Sequence, residues 1–144
     1  MTWTRSWALA TAAAACLALT GCSEGYSGKG DTLHLAYGMS QQASLDAMNQ
    51  IGQAKHLSHE TRFVLLNACV LEIQTLDGSK HNNTQRTPLR EAESTVEKST
   101  GSESYRVHIA PKNVDGPGHT LLEGASWTEA TQMRWLLDYV QTVC

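Results

Sequence analysis

The apolar residues of this chain change their period twice, and no other feature constrains the fold more. Over about residues 41–54, and again from Ala130 to the end, they recur every three or four positions; between 61 and 110 they mostly alternate. A spacing of three and four lines one face of a helix, and an alternation lines one face of a strand. The predicted order is therefore helix, four or five antiparallel strands, helix. That is an α+β domain in which the helices pack on a sheet, the C-terminal helix among them.

The individual elements follow from the same pattern. Ser40 is a fitting N-cap for the first helix, whose apolar face is Leu45, Met48 and Ile51 with Ala47 and Ala54 beside them. From Thr61 to Leu76, Phe63, Leu65, Cys69, Leu71 and Ile73 alternate, which predicts one long strand or two strands bent near Asn67-Ala68. Asp77-Gly78 is a turn signal, and Thr84 to Leu89 is a candidate strand. Glu93–Lys98 and Ser104–Ala110 flank Ser99 to Glu103 as the arms of a hairpin, and His119–Gly124 is a last candidate strand. In the final helix Ser126 and Glu129 fit a capping box, and Ala130, Met133, Leu137, Val140 and Cys144 form the apolar stripe. Thr32 to Tyr37 reads equally as a short strand or an extended lead-in. A curved sheet closed by a C-terminal helix is similar to pleckstrin-homology-like half barrels, a likeness of element order without a shared motif.

The N-terminus reads as an address rather than as part of the fold. Arg5 is the only charge among the first 21 residues, and it precedes the apolar run Trp7 to Leu19. That run has the length of an export signal's apolar core and falls short of the ~20 residues needed to cross a bilayer. It closes on Leu19-Thr20-Gly21-Cys22, which resembles the lipobox of bacterial lipoprotein precursors. The resemblance implies removal of residues 1–21 as a signal peptide and attachment of acyl chains to Cys22. It implies a membrane-tethered protein outside the cytoplasm. The absence of aspartate at Ser23 favours the outer membrane, with the domain facing the periplasm. Two or more acyl chains give stable anchoring where one does not. Residues 22–38 then form the acylated cysteine and a Gly/Ser-rich tether, and residues 39–144 a single domain. An ordinary secretory signal in which Cys22 is incidental is the alternative.

The remaining 123 residues are enough for a substantial core. They carry ten Lys and Arg against fourteen Asp and Glu, a net of −4, with no basic run. Nucleic-acid binding needs a cationic footprint, so that class is set aside. With Cys16 in the signal and Cys22 acylated, Cys69 and Cys144 remain, and an oxidising envelope favours a bridge between them. Two buried free thiols, or a reactive one, are the alternatives.

The chemistry-bearing residues are sparse. His56-Leu57-Ser58-His59-Glu60 departs from the His-Glu-x-x-His order that puts zinc ligands on one helical face, and it reads as a surface connection with no metal. Ser58, His59 and Glu60 are triad residue types side by side, but a triad is a spatial arrangement. Glu91 and Glu93 have the spacing of paired carboxylates on one strand face, a pattern that fourteen acidic residues also produce by chance. No phosphate loop, dinucleotide fingerprint or paired-cysteine redox motif occurs, so no cofactor is expected. Trp135 and Tyr139 lie off the apolar stripe at helical spacing, and they form either a partner-contact patch or a surface that a second layer covers. The expected role is non-enzymatic binding or inhibition at the envelope. The membrane would be engaged through the lipid, and the partner would be a protein: an effector toxin, a lysozyme or an envelope complex. The alternatives are a small cell-wall hydrolase using Glu91, Glu93, His59 or His108, and a structural envelope protein.

Overall fold

The structure, a computed structural model, describes residues 33, 35–76, 78, 82–113 and 118–144. The signal segment, the lipobox with Cys22 and the glycine-rich residues 23–31 lie outside them. So do Asp77, His81 and residues 114–117 of the predicted turns and loops.

The chain is α+β, and both helices begin where the sequence marks them. Helix α1 spans Gln41–Gly52, with the Ser40 hydroxyl accepting from the Ala43 N–H. Helix α2 spans Trp127–Thr142 behind a complete capping box, in which Ser126 Oγ accepts from the Glu129 N–H and the Glu129 carboxylate accepts from the Ser126 N–H. Between them lie β1 (Glu60–Leu66), β2 (Val70–Leu76), β3 (Asn82–Pro88), β4 (Ala92–Lys98), β5 (Tyr105–Pro111) and β6 (His119–Ala125). The segment from Leu33 to Ser40 forms no strand among its described residues, yet Leu33 and Leu35, upstream of the boundary expected at residue 39, pack against the core along with Met39.

The six strands make two antiparallel meanders, β1-β2-β3 and β4-β5-β6, where the sequence predicted four or five strands in one curved sheet. The meanders do not close into a barrel. Two short 3-10 turns shape this arrangement, and the second of them divides the meanders. One, Asn67–Cys69, folds the long alternating stretch into the β1–β2 hairpin at the bend expected near Asn67-Ala68. The other, Leu89–Glu91, follows Pro88, whose ring removes an N–H from the end of β3. It sends the chain into β4, which pairs with β5 rather than with β3. Gln141 of α2 holds this corner by donating to the carbonyl oxygens of Leu89 and Ala92. Alternation marks strands well, but it carries no signal for a turn that a distant helix supports.

One core joins both sheets. It contains Met48 and Ile51 of α1, Phe63, Leu71 and Ile73 of the first meander, Val107, Ile109, Leu121 and Leu122 of the second, and Met133, Leu136, Leu137 and Val140 of α2. Helix α1 packs on β1 and α2, and α2 packs on β4, β5 and β6. The edge of β1 is covered by a side chain: Asn49 Oδ1 accepts from the Phe63 N–H at 2.7 Å, and its Nδ2 donates to the Phe63 carbonyl at 3.0 Å. An unpaired strand edge invites association with another chain, and here a helix residue takes the place of a seventh strand. On β6 the Ser58 N–H donates to the Glu123 carbonyl at 2.9 Å, so the connection between α1 and β1 covers that edge too.

Cys69 sits at the tip of the β1–β2 hairpin, not inside a strand as its alternation suggested, and it follows Ala68 in a left-handed conformation (φ 60° and 59°). That pair of positive angles turns the cysteine towards the end of α2. Its sulfur is joined to that of Cys144, with the two Cα atoms 5.7 Å apart. The Arg90 guanidinium donates to the Cys144 carbonyl at 2.7 Å beside this link.

Candidate functional site

The feature best suited to meeting another molecule is an aromatic face along α2. Trp135, Tyr139 and Val143 are each four residues apart and so share one stripe, beside the stripe that faces the core. The Trp135 and Tyr139 rings stack at 5.8 Å with planes 7° apart. Tyr37, from the segment that leads into α1, sets its ring edge-on to Trp135 at 6.3 Å. The Tyr139 hydroxyl donates to the Met39 carbonyl and ties that segment to the helix. Both arrangements are favoured aromatic geometries. The exposure is uneven. Trp135 is half-buried against the core and Tyr139 is half-buried beside it, whereas Tyr37 is 97 % exposed and Val143 47 % exposed. The lead-in segment therefore borders the two predicted contact residues without burying them. The sequence reading missed Tyr37, whose one available signal was an aromatic following a glycine-rich stretch.

The chain matches no known protein family, no curated protein and no solved structure. The site is thus read from its own geometry.

A second cluster gathers at the start of α2. His56 Nε2 meets Glu129 Oε2 at 2.9 Å, and His59 Nε2 lies 4.0 Å from the Glu123 carboxylate, which also takes the Arg106 guanidinium at 2.8 Å. The Ser126 hydroxyl donates to Glu129 Oε2 at 2.8 Å. Serine, histidine and a carboxylate are thus in contact, but the carboxylate stands in the middle. In a hydrolytic triad the imidazole bridges the other two and takes the serine proton; here Ser126 and His56 both address Glu129 and not each other. The arrangement caps a helix. Ser58 and Glu60, neighbours of His59 in sequence, take no part in it.

The other residues singled out in the sequence are dispersed. His108 contacts Thr120 at 3.2 Å and Glu97 at 3.8 Å on the outer face of the second meander. Glu91 lies in the corner turn, and Glu93 opposes Ala110 on β4. Both glutamates are exposed. Among the described residues no group of three or more His, Cys, Asp or Glu side chains is placed to hold a metal ion.

Burial of the Glu129 carboxyl opposes its charge, but the Ser126 backbone, the His56 ring and the Ser126 hydroxyl outweigh this and hold it below the usual glutamate range. A carboxyl depressed in the folded state adds stability above its unfolded value, near 4.5, and loses it as the pH falls through the folded value. Glu129→Gln is therefore expected to flatten the acid side of the melting profile, shrinking the fall in Tm between about pH 6 and about pH 3. An unchanged slope would mean that the cap carries no pH dependence. Glu72 on β2 is held low in a similar way, first by Gln74 and then by Arg86, each donating to its carboxylate at 2.8 Å.

Proposed function

We propose that this chain is the precursor of a bacterial envelope lipoprotein that acts by binding a protein partner. In this reading residues 1–21 are removed, Cys22 carries the acyl chains, and the domain works on the periplasmic side of the outer membrane. The observation that carries it is the link between Cys69 and Cys144. A bridge of that kind belongs to an oxidising compartment, and it leaves Cys22 of the lipobox with no part to play in the domain's staple. The binding role draws support from the second cluster, whose histidines and carboxylates are engaged in caps and ion pairs, and from the aromatic face on α2. Trp and Tyr are the residues that most often anchor such contacts. An effector toxin, a lysozyme or an envelope assembly is the class of partner that suits a small tethered binder.

Fractionation of cells producing Cys22→Ala tests the address. The wild-type protein is expected with the membranes and the variant in the soluble periplasmic fraction. A variant that stays membrane-bound and is processed normally removes the basis for acylation. Pull-down from detergent-solubilised envelopes tests the role, and recovery of no specific partner counts against it.

A further inference from the structure

We infer that the aromatic face of Tyr37, Trp135 and Tyr139 rests on the lipid surface to which the chain is anchored. The inference rests on the anchoring part of the reading above, adds to it an orientation for the domain, and gives to lipid the face that otherwise would serve a protein partner.

Three observations meet here. The first is where the anchoring segment ends. Tyr37 lies fifteen positions after Cys22, and a chain of that length reaches at most about 50 Å. The domain therefore stays near the bilayer, and the part nearest the tether is the lead-in segment that carries Tyr37. Tethering makes the second contact intramolecular, at an effective concentration that is millimolar for short linkers, so a weak surface affinity suffices.

The second is the chemistry of the face. Trp and Tyr concentrate at membrane–water interfaces, where the ring lies among apolar groups while the N–H or O–H meets the headgroups. Leu33, Leu35 and Met39 pack against the core and hold the segment that carries Tyr37 to the domain, and Val143 continues the stripe towards the end of α2. Tyr37 is almost wholly exposed, and among the described residues its ring meets that of Trp135. The third is the local charge. Arg134 and Asp138 flank the stripe and lie 4.0 Å apart, so these two opposite charges enter the headgroup layer together rather than singly.

The chain's tryptophans are Trp3 and Trp7, which leave with the signal, and Trp127 and Trp135. Trp127 is 51 % exposed at the other end of α2, against Tyr105, and eight residues along the helix place it about 12 Å from Trp135. Trp127→Phe and Trp135→Phe therefore each leave one reporter in the mature protein. The acylated protein, with Cys22 checked by mass spectrometry, is placed in phosphatidylethanolamine–phosphatidylglycerol vesicles with brominated acyl chains. Fluorescence quenching is then compared for the two variants. Trp135 is expected to be quenched about twofold more than Trp127 or better, and Tyr37→Ser, a change at an exposed position, should reduce the difference. Acylated protein in which the two tryptophans are quenched equally overturns the inference while the anchoring reading stands, and leaves the face to a protein partner. Protein that lacks the acyl group and does not join the vesicles overturns both.

Discussion

Replacing Cys144 by serine is expected to lower stability by up to about 4.5 kcal/mol, the chain-entropy value for a loop of 75 residues. The effect is large because the link joins the tip of the β1–β2 hairpin to the end of the last helix, and so closes most of the domain on itself. Without it the unfolded chain regains freedom, while the folded chain keeps the packing of α2 and the hydrogen bond from Arg90 to the last carbonyl. Urea unfolding of the oxidised protein, Cys144→Ser and the double variant Cys69→Ser/Cys144→Ser measures this. The double variant should lose little more than the single one, because both remove the same link. A midpoint unmoved by either change, or by a reductant, would mean that the two thiols are not joined.

The second large effect is expected at Gly52, the last residue of α1. Alanine is the better helix former by about 1 kcal/mol, so propensity alone makes Gly52→Ala stabilising. Packing reverses the sign. A Cβ at this position would lie 2.3 Å from the Thr61 carbonyl oxygen and 3.0 Å from a ring carbon of Phe63. Neither neighbour has room to move. Thr61 is paired in the ladder with Thr75, and Phe63 is bound at both backbone groups by Asn49. Relief requires lifting α1 from β1, which breaks the Asn49 pair and opens the core at Met48 and Ile51. The expected loss is about 3 kcal/mol, at the upper end for overpacking. Thermal unfolding of Gly52→Ala reads it directly, and a neutral or raised Tm would show that the helix sits farther from the strand than described.

The local signals proved dependable. The Ser40 cap, the Ser126–Glu129 capping box, the amphipathic stripes of both helices and the hairpin of β4 and β5 all stand where residue type and spacing put them. The bend near Asn67-Ala68 does too. Each depends on neighbours within about five positions, a range at which backbone and side-chain chemistry acts without help from the rest of the chain. The candidate site was legible in part. Trp135 and Tyr139 were visible as aromatics off the core stripe, because helical geometry assigns them a face. Tyr37 was not, since nothing in sequence indicates that a residue 98 positions upstream sets its ring against Trp135. The contact between His56 and Glu129, 73 positions apart, was hidden for the same reason.

Residue order alone determined the succession of helix, strands and helix, the alternation along β1, β2 and β5, the caps, and the resemblance to a lipoprotein leader. Those follow from periodicity and from short-range hydrogen bonding. Tertiary structure decided that six strands form two meanders, that Asn49 and Gln141 of the helices satisfy backbone groups on β1 and at the corner, that Gly52 must lack a side chain, and that Cys69 meets its expected partner Cys144 from a hairpin tip rather than from a strand. The physical reason is common to all four. Each depends on the distance between segments far apart in the chain, and that distance is set only when both helices settle on one shared core.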